Sequence, residues 1–283
     1  MFRDIIVPLD GSGLAERALG LADWIASESD ARLHLIRVHL TGDQTAGERP
    51  RARPAEEWYL QLLASSRREA GREVRAAVLD GSVALAISDY ADNVNGDLIV
   101  MTTHGRTGDE RRRLGSVAAV VAHHARCPVM LVRGGVPTDA MPRVPFEHIL
   151  VAVDGTEQPE AVAAMALRLG GLGHPVFRIV HTLAPARELV SVGAGAAKPD
   201  HERAEGHAAG IASRLRRAGL RAEVLVTITD SPANAIGAAA REESADLIMI
   251  PTRLDVLAPR FAPSLAEAML RQWTSPVLLI KQA

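Results

Sequence analysis

Asp97–Val132 reads DLIVMTTHGRTGDERRRLGSVAAVVAHHARCPVMLV. Its first residues form an apolar run long enough for a buried strand. A loop with three glycines follows, then a helix that begins at Gly115-Ser116, then a second apolar run. A strand that ends in a glycine loop and feeds a helix N-terminus has the makings of an anion cradle. Helix N-termini leave N–H groups without partners and carry a partial positive charge. Glycine lets backbone approach a phosphate closely.

Upstream, Asp4–Leu9 is a short apolar run that ends in Asp10-Gly11-Ser12, a buried strand followed by a turn. Leu14 to Ile25 has helical spacing, and Ala31–Leu40 alternates as a strand. Thr41–Pro54 lacks periodicity and reads as a loop. A helix is expected from Ala55 to Gly71, with Trp58, Leu62 and Leu63 on one stripe. Val74–Leu79 reads as a strand and Val83–Asn93 as a helix. The order βαβαβαβαβ is that of an open parallel sheet with helices on both faces. Gly134–Pro145 is rich in glycine and proline and reads as a linker, after which the pattern restarts.

The restart is a repeat. HILVAVDGTEQPEA matches RDIIVPLDGSGLAERA, SPANAIGAAAREESADLIMI matches SVALAISDYADNVNGDLIVM, and SLAEAMLRQWTSPVLLI matches SVAAVVAHHARCPVMLV. Asp154 falls on Asp10, Asp246 on Asp97 and Pro276 on Pro128. Order and spacing hold along the whole chain, so two domains of one α/β fold are expected. Their bounds are 1–134 and 147–283, with 135–146 between them.

The bulk numbers agree with this class. Among 283 residues 47% are hydrophobic but only 3% aromatic, a core of Ala, Val, Leu and Ile suited to buried parallel strands. A net charge of −2 gives no bulk basic character to argue for nucleic acid. Cys127 is the single cysteine, which excludes an intramolecular disulfide and a thiolate zinc cluster. The N-terminus lacks the pattern of a signal peptide, and no run approaches the ~20 apolar residues of a membrane helix. A cytoplasmic protein without membrane partners is expected.

Val7-Pro8-Leu9-Asp10-Gly11-Ser12, Asp97–Met101, Thr103-His104-Gly105, Gly115-Ser116-Val117 and Cys127-Pro128-Val129, in that order, resemble the universal stress protein family. The resemblance covers both halves. It implies two open parallel five-stranded sheets of strand order 3-2-1-4-5, helices on both faces, and a regulatory or stress-protective role. The nucleotide-binding branch of that family carries G-x2-G-x9-G-S/T in this place. Here Gly105, nine residues, Gly115 and Ser116 match, and Thr102 stands at the first glycine. The resemblance therefore implies an ATP site, with Mg²⁺ on the phosphates, in the first half. Its contacts would come from Asp10, Val38, Thr103, Gly105, Arg106, Gly115, Ser116 and Val117. It also implies edge pairing of the two halves into a pseudo-dimer, or a larger homo-oligomer.

In the second half Pro251, Arg253, Leu254 and Pro263 replace Thr102, His104, Gly105 and Gly115, and only Ser264 persists. Proline lacks an N–H and leucine blocks close approach, so that site reads as degenerate. Each motif also has a plainer role. Asp10 and Ser12 suit a helix cap, Ser116 another, and the glycines suit turns. Asp109–Arg113 reads as a solvated charged loop. His123, His124 and Cys127 make a poor metal set, because adjacent helical residues point in different directions. His34 and His39 have no acidic partner at useful spacing in the sequence, and Arg214–Arg217 reads as a solvated helix end. Neither a P-loop nor a nucleophile elbow is present, and no base stands by the cradle, so binding or a scaffold role is favoured over a slow ATPase.

Overall fold

The structure is a computed structural model, and it describes residues 1–40, 53–104, 114–133, 146–155, 157–185, 197–253 and 265–282. The chain divides into two compact units, Met1–Met141 and Pro142–Ala283. No described helix is long and apolar enough to cross a membrane.

The first unit runs β1 (Asp4–Pro8), α1 (Gly13–Ser29), β2 (Arg32–Val38), α2 (Arg53–Glu69), β3 (Val74–Leu79), α3 (Val83–Asn93), β4 (Leu98–Thr102), α4 (Ser116–His124) and β5 (Val129–Val132). Its strands lie in the order β3-β2-β1-β4-β5. All four neighbouring pairs are parallel. The strands bury Ile5, Ile6, Val7, Leu33, Leu35, Leu98, Ile99, Val100 and the whole of β5, as expected of a sheet covered on both faces. Alternation along β2 shows which helices cover which face. His34 reaches Tyr90 of α3 and Arg37 reaches Glu56 of α2. Positions three apart on a strand point to opposite faces, so α2 and α3 lie on opposite sides. Tyr59–Glu16 and Arg67–Asp23 contacts tie α2 to α1.

The second unit repeats the plan: β6 (His148–Val153), α5 (Pro159–Gly170), β7 (Val176–Leu183), α6 (Ala197–Arg217), β8 (Arg221–Ile228), α7 (Pro232–Glu242), β9 (Leu247–Arg253), α8 (Leu265–Gln272) and β10 (Val277–Gln282). Its order, β10-β9-β6-β7-β8, is again 3-2-1-4-5, with parallel pairs throughout. The repeat extends to single hydrogen bonds. Asp97 Oδ2 accepts the amides of Arg3 and Asp4, and Asp246 Oδ2 accepts those of Glu147 and His148. This carboxylate pins the start of the first strand to the turn before the fourth in each unit, so its place in the repeat is structural.

The structure adds one point about α2 and corrects two expectations. The stripe of Trp58 and Leu62 faces outward, 68% and 55% exposed. The inward face of α2 carries Glu56, Leu60 and Ala64 instead, because Glu56 meets buried Arg37 there. His34 and His39 do have acidic partners: Asp4 Oδ1 lies 2.8 Å from His34 Nε2 and Glu56 Oε2 lies 2.7 Å from His39 Nδ1. The basic end of α6 is engaged rather than merely solvated. Arg216 Nε donates to the Ala222 carbonyl at 2.8 Å, and Arg214 pairs with Glu160.

Candidate functional site

The carboxyl ends of β1 and β4 meet where the strand order reverses, the place where open α/β sheets leave a crevice. β1 stays in register with β2 over Asp4–Pro8 but with β4 only at Ile5 and Ile6. Beyond those pairs the two strands end in Asp10 on one side and Thr103 on the other.

Asp10 shapes the first side. Its Oδ1 accepts the backbone N–H of Ser12 at 2.8 Å and the Ser12 hydroxyl at 2.6 Å. Gly11 between them holds φ +81°, a conformation that favours glycine. Ser12 Oγ then accepts the Ala15 amide at 3.1 Å and caps α1. Asp10 and Ser12 thus both serve the start of α1, the plainer of their two roles.

The second side is built from β4 and α4. The Thr103 amide donates to the Val132 carbonyl at 2.9 Å, and the Thr103 carbonyl accepts the Gly115 amide at 2.8 Å. That bond draws the start of α4 onto the end of β4. The approach is so close that a Cβ on Gly115 would stand 2.6 Å from the Thr103 oxygen. Gly115 is therefore required by backbone packing, with φ −59° and no need of a left-handed conformation. Gly115 itself is the N-cap residue and makes no side-chain cap bond. Ser116 is the first helical residue, exposed, and not a cap. Among the described residues no side-chain cap bond closes the start of α4, which leaves helix amides and partial positive charge of the kind an anion needs.

Thr102 is buried, and its Oγ1 donates to the His104 carbonyl at 2.7 Å, so the hydroxyl fastens the end of β4. Thr103 is also buried, with its hydroxyl 3.1 Å from His104 Nδ1. Val38 ends β2 in register with Leu79 and is buried. Gly105 and Arg106 lie outside the described residues. So do Asp109–Arg113 and, in the second unit, Leu254, Pro263 and Ser264.

A group that residue spacing did not reveal stands on the other face of β2. The side chains of Arg37 and Glu56 are both only 4% exposed, with Arg37 Nε donating to Glu56 Oε1 at 3.0 Å. The guanidinium carbon lies 5.7 Å from the Tyr59 ring centre, within cation–π range. Tyr59 donates to Glu16 Oε1 at 2.8 Å, and burial with that neighbouring carboxylate pushes its hydroxyl well above the ordinary phenol range. Arg37 shares β2 with Arg32 and His34, and Glu56 stands beside Glu57 at the start of α2, so neither residue marks this group in the sequence.

His123 and His124 are both exposed and their rings stand edge to face. Among the described residues no group of three His, Cys, Asp or Glu side chains is arranged to hold a metal ion.

A model of the universal stress protein family matches residues 1–133 and again 145–281. A universal stress protein of Methanocaldococcus jannaschii is 35% identical over 147 residues, 47% of this chain and 83% of that protein. The crystal structure of a universal stress protein from Archaeoglobus fulgidus superposes with TM-score 0.70 at 17% identity, covering 99% of this chain and 98% of the other. That likeness establishes a shared fold across both units. A Pseudomonas aeruginosa PAO1 protein described as functionally unknown shares the fold at TM-score 0.67 and 18% identity, over 99% of this chain and 92% of its own. With the family matched once in each unit, the chain belongs to the universal stress protein family and carries two such domains in tandem.

Proposed function

We propose that the first unit binds ATP at the crevice between the ends of β1 and β4, and that the chain acts as a nucleotide-responsive binding protein rather than an enzyme. The observation that carries this reading is the Thr103–Gly115 contact, which sets the start of α4, without a side-chain cap among the described residues, beside the end of β4. Backbone amides of Ser116 and Val117 would meet phosphate oxygens, with the Ser116 hydroxyl as a further donor. Asp10 and the carbonyl end of β2 at Val38 would serve the nucleoside. Gly105 and Arg106 complete the proposed set from sequence spacing alone. Mg²⁺ would ride on the phosphates, neutralising charge that the helix N-terminus meets only in part.

A second reading has its own support. Gly115 and Asp10 each have a sufficient structural reason to be where they are, so a scaffold acting through protein contacts needs no ligand to explain them. Titration calorimetry of the full chain with ATP·Mg²⁺ separates the two. Saturable heat with a stoichiometry of one per chain supports the nucleotide reading, and none at high protein concentration leaves the scaffold. Release of phosphate above a protein-free control would instead indicate an ATPase.

A further inference from the structure

The repeat allows the two units to be compared position by position at the carboxyl end of their second strands. Ile6 pairs with His34 and Leu150 with Arg178, so Arg37 corresponds to His181. Arg68 donates to the Val74 carbonyl and Arg216 to that of Ala222, which aligns Tyr59 with His207 and Glu56 with Ala204. In the first unit this corner is locked by a guanidinium, a carboxylate and a phenol. In the second the guanidinium and the ring opposite it have both become imidazoles, and the carboxylate has become a buried alanine.

The imidazoles lie edge to face with ring centres 5.6 Å apart. His181 is 2% exposed, and neither of its ring nitrogens has a hydrogen-bond partner among the described residues; His207 Nδ1 is also buried without one. The backbone of Gly155, just beyond β6, lies against His181. A Cβ on Gly155, at φ +86°, would stand 2.9 Å from His181 Nε2, so the ring rests against that backbone. The carboxylate is supplied from a new place. Glu157, where the first unit has Gly13, folds back so that its oxygens accept the amides of Asp154 at 2.8 Å and Gly155 at 2.9 Å. His207 Nε2 donates to the Glu157 carbonyl at 3.2 Å and stands 3.9 Å from its Oε2. In the first unit the space a side chain would enter at Gly13 is open.

We propose that His181 and His207 form a proton-sensitive pair that keeps the Asp154–Gly155 backbone packed on β7 when neutral and loosens it in mild acid. A buried imidazole without a partner is costly to charge, and a proton on either ring opposes one on the other across 5.6 Å. Among the described residues the facing groups are Asp154 after β6, Glu157 before α5, and the uncharged Val153 of β6 and Val226 of β8, which flank His181 in register. On α6, Arg203 is directed to Asp200 and Arg214 to Glu160. Burial, then His207, holds His181 below its ordinary value of 6.5 against the opposing pull of Asp154 and of the Thr182 backbone. A base that is harder to protonate folded than unfolded contributes its stability above 6.5 and loses it as pH falls. Burial raises the Glu157 carboxyl, so its own protonation favours the folded state and offsets part of that loss. This pair is independent of the nucleotide reading of the first unit.

Hydrogen exchange by mass spectrometry on the full chain at pH 7.5 and 5.5, corrected for intrinsic exchange, tests the pair. Peptides covering β6 with Asp154–Gly155, and β7, are expected to lose protection by up to about tenfold per pH unit below 6.5. The loss is expected to vanish in His181→Gln and to shrink in His207→Gln. Protection that is equal at the two pH values, or a loss that persists unchanged in both variants, overturns the proposal. If His181→Gln does not fold, an unchanged loss in His207→Gln overturns it alone.

Discussion

The carbonyl of Thr103 accepts the amide of Gly115 at 2.8 Å, and the same oxygen would stand 2.6 Å from any Cβ placed on Gly115. The atom in the way is backbone and has no rotamer into which it can retreat. Even Gly115→Ala must therefore push α4 off the end of β4. We expect a loss of about 1–3 kcal/mol, in the range of other overpacking changes, measured by denaturant unfolding. Loss of ATP binding in that variant would report displacement as much as missing contact.

Ser116→Ala separates the two effects. Ser116 is exposed and caps nothing, so stability should stay within about 0.5 kcal/mol. If the hydroxyl meets a phosphate, ATP should bind roughly ten- to hundredfold more weakly, the worth of one hydrogen bond to a charged group. Calorimetry that shows the same affinity as the parent chain removes Ser116 from the site.

Thr102→Gly would restore the first glycine of the family's nucleotide motif. The Thr102 hydroxyl is tied to the His104 carbonyl at 2.7 Å, so the side chain is occupied in fastening the end of β4. The variant should be less stable by about 1–2 kcal/mol, through the lost bond and the freer backbone. It should gain no affinity for ATP. Tighter binding in Thr102→Gly would show that the threonine does obstruct the ligand.

Where apolar periodicity governs, the structure lies close to the surface of the sequence: β3 at Val74–Leu79 and α3 at Val83–Asn93 have the bounds that pattern alone suggests. The doubled strand order follows from the repeat and the family likeness. The pattern misleads in α2, where Trp58 and Leu62 make an apolar stripe that faces outward. Hydrophobicity cannot mark Glu56 as the inward residue, because its burial depends on Arg37, a partner on another element. The same holds for His34 and His39, whose carboxylates come from β1 and α2. At the cradle, spacing finds Gly115 but not its reason, since a carbonyl twelve residues earlier decides it.

Glu56→Gln tests that hidden group. Removing the charge leaves the Arg37 guanidinium buried without a counter-ion, and breaking one half of such a pair costs about 3–5 kcal/mol. Arg37→Met with Glu56→Met replaces both charges by apolar atoms and should recover most of the loss. His39, 2.7 Å from Glu56 Oε2, would then lack its acceptor, so recovery should be incomplete. A double variant no more stable than Glu56→Gln would show that the pair's geometry, rather than its charge, holds α2 on β2.

His34 gives the first unit its own acid sensitivity, with a different cause. Its Nε2 lies 2.8 Å from Asp4 Oδ1 and its Nδ1 3.0 Å from the Tyr90 hydroxyl. A neutral ring can satisfy both, donating from Nε2 and accepting the tyrosine proton at Nδ1; a protonated ring can accept nothing. Burial holds His34 below its ordinary 6.5, outweighing Asp4, while Arg75 and Arg32 act in the same direction as burial. The unfolded chain therefore binds the proton first as pH falls. Stability contributed by neutral His34 is complete above 6.5 and declines below it, by up to about 1.4 kcal/mol per pH unit. Hydrogen exchange of peptides covering β1 and β2 should show protection declining from pH 7 to pH 5. His34→Gln keeps a donor and an acceptor but cannot titrate, so it should flatten that decline even if it lowers protection at pH 7. A decline of unchanged slope in His34→Gln would place the acid-sensitive group elsewhere in the unit.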